Sequence, residues 1–262
     1  MIVAGCDVGS LTAKAVIMDD VKILSSHVIK AKANPENSAR EVMDAALSKA
    51  GLSLNDMQFV VGTGYGRKQV SFVNDVASEI VCHGKAVNWL LPSARMVIDV
   101  GGQDAKAIRL DGTGNIVRYV YNDRCASGTG RFLEIMADAL ELQLENIGEL
   151  SLKSKTPANI SNQCTVFAES EVVSLVNDGK EVPDILSGLL RAMAHRVAAL
   201  ANSIEIEEDI VMSGGVAKNI GMFSILEEVL GVKIKKAETD PQINGALGAA
   251  LIALETLKAK TM

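Results

Sequence analysis

Two stretches of the chain share one pattern of apolar and polar positions. Asp7-Val-Gly-Ser-Leu-Thr-Ala-Lys-Ala-Val-Ile-Met-Asp19 aligns without gaps on Asp99-Val-Gly-Gly-Gln-Asp-Ala-Lys-Ala-Ile-Arg-Leu-Asp111, and seven of the thirteen positions are identical. An apolar run precedes each copy (residues 2–4 and 96–98), and a polar turn ends it. Each copy therefore predicts a β-hairpin that forms the first two strands of a sheet, and the pair predicts a duplicated two-domain α/β protein.

Hydrophobic periodicity predicts the other elements. Strands are predicted at 58–61, 210–212 and 232–234, and helices at 38–49, 75–90, 130–141, 184–204 and 244–257. One buried helical face is predicted from apolar residues three to four positions apart: Ile185, Leu189, Met193, Val197, Leu200 and Ile204. We expect one domain from residues 1–94 with 244–262, and a second from 95–243.

Composition and charge narrow the class of protein. The 262 residues are 48% hydrophobic and carry a net charge of −6, which argues against a nucleic-acid partner. The first residues lack the basic segment of a signal peptide, and no apolar run is long enough to span a bilayer. We therefore expect a cytoplasmic protein without a membrane partner. The four cysteines form no CxxC pair and the three histidines no HExxH motif, so zinc and thioredoxin-like sites are disfavoured.

The two Asp-Val-Gly turns have the chemistry of phosphate-binding loops. Glycine lets the backbone approach a phosphate closely, and its N–H groups donate to the oxygens. Ser10 and Thr12 add hydroxyl donors, and Lys14 could neutralise charge. Asp7 and Asp99, at two strand ends facing one cleft, are candidates to hold Mg²⁺ through water. An ordinary hairpin turn is the alternative for one copy alone, and the matched pair makes it the weaker one.

A third glycine element fits a nucleotide site. Val211-Met-Ser-Gly-Gly-Val-Ala-Lys-Asn219 predicts a strand that runs through two glycines into a helix, a geometry that can take adenosine. A common glycine-rich turn is the alternative. Gly62-Thr-Gly-Tyr-Gly66 has a spacing like that of a dinucleotide loop, but a lone glycine string is weak evidence, and we predict a turn. The chain has no GxxxxGK[ST] motif, which excludes a P-loop.

The order of these three elements resembles the actin, sugar-kinase and heat-shock-chaperone ATPase superfamily over nearly the whole chain. The resemblance implies a duplicated actin-like, ribonuclease-H-like fold with a nucleotide cleft between two domains. It also implies two connecting helices. The first follows Asn74-Asp-Val-Ala-Ser-Glu79, and the second contains Gly245-Ala-Leu-Gly-Ala-Ala250, where small residues let helices cross closely.

Longer motifs point to one branch of that superfamily. They are Asn122-Asp-Arg-Cys-Ala-Ser-Gly-Thr-Gly-Arg-Phe-Leu-Glu134, Gln163-Cys-Thr-Val-Phe-Ala-Glu-Ser-Glu171, Thr63-Gly-Tyr-Gly-Arg67, Ser78-Glu-Ile-Val-Cys-His83 and Ile98-Asp-Val-Gly-Gly-Gln-Asp104. These resemble the activator family of 2-hydroxyacyl-CoA dehydratases, with the related ATPase components of benzoyl-CoA reductases and double-cubane-cluster reductases. The match implies that Cys125 and Cys164 are ligands of an iron–sulfur cluster.

The chemistry of such clusters agrees with this assignment. A [4Fe–4S] cluster is usually held by four thiolates, so two cysteines per chain make a full set only across a two-fold axis. We expect one cluster per homodimer, with a helix that begins just after each ligand, from Gly128 or Gly130 and from Val166. Cys6 and Cys82 are expected to be buried and inert. Two unrelated reduced thiols are the alternative for the ligand pair.

The motif match also assigns nucleotide contacts. Phosphates are expected at Ser10, Leu11, Thr12, Ala13, Lys14, Gly101, Gly102 and Gln103. The nucleoside is expected near Gly214, Gly215 and Gln242, with Arg131 close by. Catalytic roles are expected for Asp7, Asp99, Gln103, Asp104 and Glu79. Of these, Glu79 and Asp104 are candidates to order the attacking water or Mg²⁺.

The resemblance implies an ATPase that pushes a low-potential electron into a partner iron–sulfur dehydratase or reductase, with a ferredoxin or flavodoxin as donor. A small-molecule kinase of the amino-sugar type is the alternative, although it needs a substrate-binding insertion that we do not find. A chaperone ATPase is a third alternative, although we expect no peptide-binding domain after residue 262.

Three positions depart from the usual family pattern: Leu11 replaces a small residue, Ala-Ser-Gly follows Cys125 in place of the frequent Ala-Ala-Gly, and position 163 holds Gln. None removes a ligand, but together they leave the subfamily and the partner open.

Overall fold

A computed structural model describes residues 1–123, 125–161 and 164–261. Its strands are β1 (Ile2–Val8), β2 (Thr12–Asp19), β3 (Lys22–Lys30), β4 (Phe59–Thr63), β5 (Asp75–Val76), β6 (Met96–Val100), β7 (Ala105–Leu110), β8 (Ile116–Asn122), β9 (Ile210–Ser213) and β10 (Ile234–Lys235). Its α-helices are α1 (Pro35–Ala50), α2 (Glu79–Leu90), α3 (Gly130–Ala139), α4 (Ile147–Ser151), α5 (Thr165–Asn177), α6 (Val182–Asn202), α7 (Ile220–Leu230) and α8 (Asn244–Thr261). The motif positions Arg124 and Gln163 lie outside the described residues.

The predicted hairpins are confirmed. Strands β1 and β2 pair antiparallel with Asp7 opposite Lys14, and β6 and β7 are neighbours in the second sheet. The helix predicted at 75–90 is wrong in its first turn. There, β5 pairs parallel with β4, Ala77 N donates to Gly62 O at 2.9 Å, and the helix begins only at Glu79. Edge pairing satisfies the backbone of this segment, so tertiary contacts override its helical pattern.

One compact unit comprises Met1–Val97, Leu110–Val117 and Ala237–Met262. Its sheet has the order β3-β2-β1-β4-β5, with a hydrophobic core on each face. Helix α1 covers one face through side chains such as Val42 and Met43, and α2 and α8 cover the other. Gly5 allows α8 to approach strand β1 closely, since a side-chain carbon at Gly5 would lie 1.9 Å from Ala246 O of that helix.

The second compact unit comprises Ile98–Arg109 and Arg118–Lys236. The second sheet of the chain has the order β10-β9-β6-β7-β8. The predicted buried face of α6 is confirmed for most of its positions, although Leu200 is only half-buried and Ile204 lies beyond the helix end. The domain limits expected from the sequence stay a prediction. Among the described residues, no helix is both long and apolar enough to cross a membrane.

Two of the four cysteines are core residues, as expected. Cys6 belongs to the α1-facing core and Cys82 to the core under α8, and both side chains are fully buried. Cys125 and Cys164 are exposed. The four thiols therefore fall into two classes of environment.

The crossing of α2 and α8 depends on the absence of a side chain at Gly248. A side-chain carbon there would lie 1.8 Å from Cys82 O, and backbone cannot yield as a flexible side chain can. In a helix interior, alanine is more favourable than glycine by about 0.8–1.0 kcal/mol in intrinsic propensity. We nevertheless expect Gly248→Ala to lower the free energy of unfolding by about 1–3 kcal/mol, since overpacking outweighs propensity. Urea unfolding measures this, and an equal or higher midpoint would contradict it. Gly112→Ala is the matched control, because its new carbon would meet only Arg95 Nη2, at 3.7 Å.

The two classes of thiol should differ in reactivity. Burial raises the pKa of Cys6 strongly and that of Cys82 to about 12, so neither forms appreciable thiolate at pH 8. In native metal-free protein, we expect iodoacetamide to alkylate Cys125 and Cys164 and to spare the buried pair until the chain unfolds. Peptide mapping by mass spectrometry checks this. Native labelling of Cys82 as fast as that of Cys125 would show the assigned burial to be wrong.

Candidate functional site

The first Asp-Val-Gly loop is a tight turn fixed by backbone hydrogen bonds. Gly9 N donates to Thr12 O at 3.0 Å, and Ala31 N donates to Leu11 O at 2.8 Å. Lys14 Nζ lies 3.0 Å from Asp7 Oδ2, so the lysine neutralises a buried carboxylate at the end of β1. Ser10 and Leu11 form the half-buried tip, whereas the side chain of Ala13 lies in the core and leaves only its backbone for a ligand.

The second loop has the same plan with one more carboxylate. Gly101 N donates to Asp104 O at 2.9 Å. Lys106 Nζ lies 3.3 Å from Asp99 Oδ2 and 2.7 Å from Asp104 Oδ2, and all three side chains are buried. Buried charges are tolerated only when paired in this way. The sequence interpretation assigned no role to Lys106, although the repeat aligns it with Lys14 and so carried the signal.

A glycine with positive φ lies against the aspartate in each unit. Gly64, after β4, has φ +83°, and a side-chain carbon there would lie 2.4 Å from Asp7 Oδ1. Gly214, after β9, has φ +84°, and its carbon would lie 2.7 Å from Asp99 Oδ1. The turn predicted around Gly64 thus repeats the glycine turn of the expected adenosine loop. The internal duplication therefore extends beyond the aligned hairpins.

The start of α3 rests on the second loop. Gly130 N donates to Gly101 O and Arg131 N to Gly102 O, both at 2.8 Å. Glycine suits position 130, because a side-chain carbon there would make a tight contact of 3.1 Å with Gly101 O. The Arg131 side chain forms an ion pair with Glu134, with Nη1 2.9 Å from Oε2. Backbone contacts thus join a phosphate-loop candidate to the segment that follows Cys125.

Cys125 is an exposed thiol in a polar setting. Asn122 clamps its backbone, since Nδ2 donates to Cys125 O at 3.0 Å and Oδ1 accepts from Cys125 N at 3.2 Å. Ser127 Oγ lies 2.8 Å from the sulfur, and Arg196 Nη1 lies 3.7 Å from it. The Ser127 hydroxyl, with help from the Ser127 N–H and the Arg196 charge, lowers the pKa of Cys125 against the opposing effect of burial. Such a thiol suits metal ligation, which requires the thiolate.

Cys164 caps a helix, as the sequence predicts. It is the exposed residue before α5, and Ala168 N donates to its carbonyl oxygen at 2.9 Å. The other expected helix begins at Gly130, after a 3-10 turn over Ala126–Gly128. Helix N-termini carry partial positive charge and favour anionic groups. Among the described residues, no three His, Cys, Asp or Glu side chains form a group that could hold a metal ion.

The remaining candidates lie in several places. Glu79 is the half-buried first residue of α2. Gln103 is exposed in the second loop, and Gly215 is exposed at the start of a 3-10 turn before α7. Gln242 lies in the 3-10 turn Pro241–Ile243, where its N–H donates to Asp240 Oδ1 at 2.9 Å. Their roles at a nucleotide stay predictions.

Comparison with known proteins identifies relatives along nearly the full chain. An activator of lactoyl-CoA dehydratase from Anaerotignum propionicum is 44% identical over 261 residues, which are 99% of this chain and 100% of that protein. The structure of the activator of the 2-hydroxyisocaproyl-CoA dehydratase from Clostridium difficile with bound ADPNP is 38% identical. It covers 100% of this chain and 97% of its own, with a TM-score of 0.96.

A more distant likeness concerns the fold alone. A ROK family glucokinase from Streptomyces griseus, solved with glucose and AMPPNP, is 14% identical with a TM-score of 0.59, covering 97% of this chain and 100% of its own. The predicted α/β fold of the actin-like ATPases is thus confirmed. The model of the BadF/BadG/BcrA/BcrD ATPase family matches residues 4–253. On this match and the two activators, the chain belongs to the BadF/BadG/BcrA/BcrD ATPase family.

Proposed function

We propose that this chain is an ATP-hydrolysing activator that passes a low-potential electron to a partner iron–sulfur dehydratase or reductase. One observation carries the proposal beyond the family. Two backbone hydrogen bonds, from Gly130 and Arg131 to Gly101 and Gly102, join the second phosphate-loop candidate to the segment that begins at Cys125. A nucleotide bound at this loop and a metal group bound at Cys125 would therefore be joined by one continuous piece of backbone.

The loops offer what a nucleotide requires. Backbone N–H groups and the hydroxyls of Ser10 and Thr12 would donate to phosphate oxygens, with the backbone at Leu11 and Ala13 and the charge of Lys14 beside them. Gly101, Gly102 and Gln103 would do the same in the second loop. Gly214 and Gly215 would face the nucleoside, as would Gln242, with Arg131 nearby.

The buried aspartates fit a hydrated divalent cation. Mg²⁺ keeps several waters and binds through one or two carboxylates, and Asp7 and Asp99 each end a strand beside a glycine with no side chain. Lys14 and Lys106 each pair with one oxygen of these carboxylates, so a cation would bind through water rather than directly. Asp104, Gln103 and Glu79 would position the attacking water.

The exposed thiols fit a shared iron–sulfur cluster. Cys125 and Cys164 would each supply a thiolate from one chain, and a second copy would complete the four. A bound [4Fe–4S] cluster would supply one-electron transfer, at a potential set by its charge, its hydrogen bonds and its exposure. Cys125 is preorganised for this role by the Asn122 clamp, and Cys164 by its place at the start of α5.

Coupling follows from the shared backbone. Movement of the second loop on nucleotide binding would pull on α3 through its first two N–H groups and so displace the Cys125 segment. ATP changes the equilibrium only if it binds one arrangement better than the other. A ferredoxin or flavodoxin would supply the electron, and the dehydratase or reductase component would receive it.

Iron analysis tests the ligand assignment. We expect anaerobically reconstituted protein to be a brown dimer with about two iron atoms per chain. Cys125→Ser and Cys164→Ser should each lose the iron and the visible absorbance, because each removes two of the four thiolates of the dimer. Cys6→Ser, in the core, should keep both and serves as the control. About four iron atoms per chain would contradict a shared cluster.

ATP hydrolysis tests the role of Asp7. We expect Asp7→Asn to slow Mg²⁺-dependent hydrolysis on the order of a hundredfold, because the carboxylate that would place Mg²⁺ at the phosphates is lost. Thermal unfolding should confirm that the variant is folded. Asp19→Asn makes the same change at an exposed position of the same hairpin and should hydrolyse ATP normally. If both variants hydrolyse ATP at the wild-type rate, Asp7 does not hold the metal.

A further inference from the structure

Two side chains from distant parts of the sequence meet at the Cys125 sulfur. Ser127 is buried beneath it with Oγ 2.8 Å away, and Arg196 of α6 places Nη1 3.7 Å from the sulfur. The same nitrogen also donates to the Ser127 hydroxyl. The three groups form a chain from guanidinium to hydroxyl to sulfur, which we call the Cys125 donor chain.

Helix α6 places Arg196 beside the Cys125 turn. It lies on α6 beside the buried Val197, and its Cβ would lie 3.8 Å from a side-chain carbon at Gly128, so its stem runs alongside the Cys125 turn. Among the described residues, no carboxylate pairs with Arg196. Arg191, five residues earlier on the same helix, is instead neutralised by Glu228 at 2.8 Å. The positive charge of Arg196 is therefore directed at the sulfur.

Charge and hydrogen bonds at a ligating sulfur have a defined consequence. The potential of an iron–sulfur group depends on hydrogen bonds to its sulfurs, on net charge and on exposure. A guanidinium stays charged under all conditions of interest and donates in a fixed direction. Donation toward the sulfur stabilises added negative charge, and so makes reduction easier.

We propose that Arg196 and Ser127 are positioning residues that fix the Cys125 sulfur and raise the reduction potential of the metal group it binds. The proposal rests on the proposed function, since it concerns the same site. Ser127 orients the donor chain, and Arg196 supplies its charge. This chain therefore adjusts the energy of its electron through one of the two thiols it contributes.

The test is a redox titration, followed by absorbance and by electron paramagnetic resonance, of reconstituted wild type and variants. We expect Arg196→Ala to keep its iron but to shift the midpoint potential to a more negative value. Arg196→Lys should recover part of the shift, because charge returns without the fork of donors. Ser127→Ala should shift the potential in the same direction by a smaller amount. Arg191→Ala, which removes a charge already paired, should match wild type.

The outcomes separate this proposal from the proposed function. Iron and a wild-type potential in both Arg196→Ala and Ser127→Ala would overturn it while leaving the activator function intact. If Arg196→Ala fails to fold or to hold iron, Arg196→Lys and Ser127→Ala decide the matter, and wild-type potentials in both overturn it. Wild-type protein that binds no iron would overturn the proposed function, and this inference with it.

Discussion

A buried aspartate neutralised by a lysine seven residues later is the constraint on which both halves of the chain are built. In the first hairpin the register places Asp7 directly opposite Lys14. The second hairpin repeats the pair as Asp99 and Lys106, with Asp104 on the same lysine. A buried charge left without its partner typically costs about 3–5 kcal/mol. The register of each hairpin therefore cannot slip without exposing or unpairing a carboxylate.

The glycines around these carboxylates follow from the same constraint. A carboxylate packed at the end of a strand leaves no room for a side chain on the turn beside it, and the turns at Gly64 and Gly214 also require positive φ. The glycine backbone therefore packs directly against one oxygen of each carboxylate, while a lysine pairs with the other. Each unit thus holds a buried aspartate, paired with a lysine, near the end of its first hairpin strand, which is the position that the proposed phosphate site requires.

Local patterns explain which features the sequence could predict. The hairpins and helices such as α6 and α8 follow from periodicity within one segment. The role of Lys106 could have been predicted from the repeat, which aligns it with Lys14. The short strand β5 was missed because its pairing with β4 depends on residues fourteen positions away rather than on its own sequence. Arg196 could not be predicted, since 69 residues separate it from Ser127. The nucleotide contacts come from the motif match, because a glycine turn has the same local pattern whether or not it binds phosphate.

The two loops of the duplicated hairpin differ in what supports them, and this difference determines where the proposed coupling can arise. The tip of the first loop is held by Ala31 N, which directly follows strand β3 and donates to Leu11 O. Neither exposed cysteine lies close to this contact in the sequence. The second loop is held by the first two N–H groups of α3, directly after the Cys125 turn. Duplication alone would give two loops with equivalent supports. The second loop contacts the start of a helix where the first loop contacts a strand end. Only the second loop is therefore linked to Cys125, a thiol whose surroundings favour negative charge.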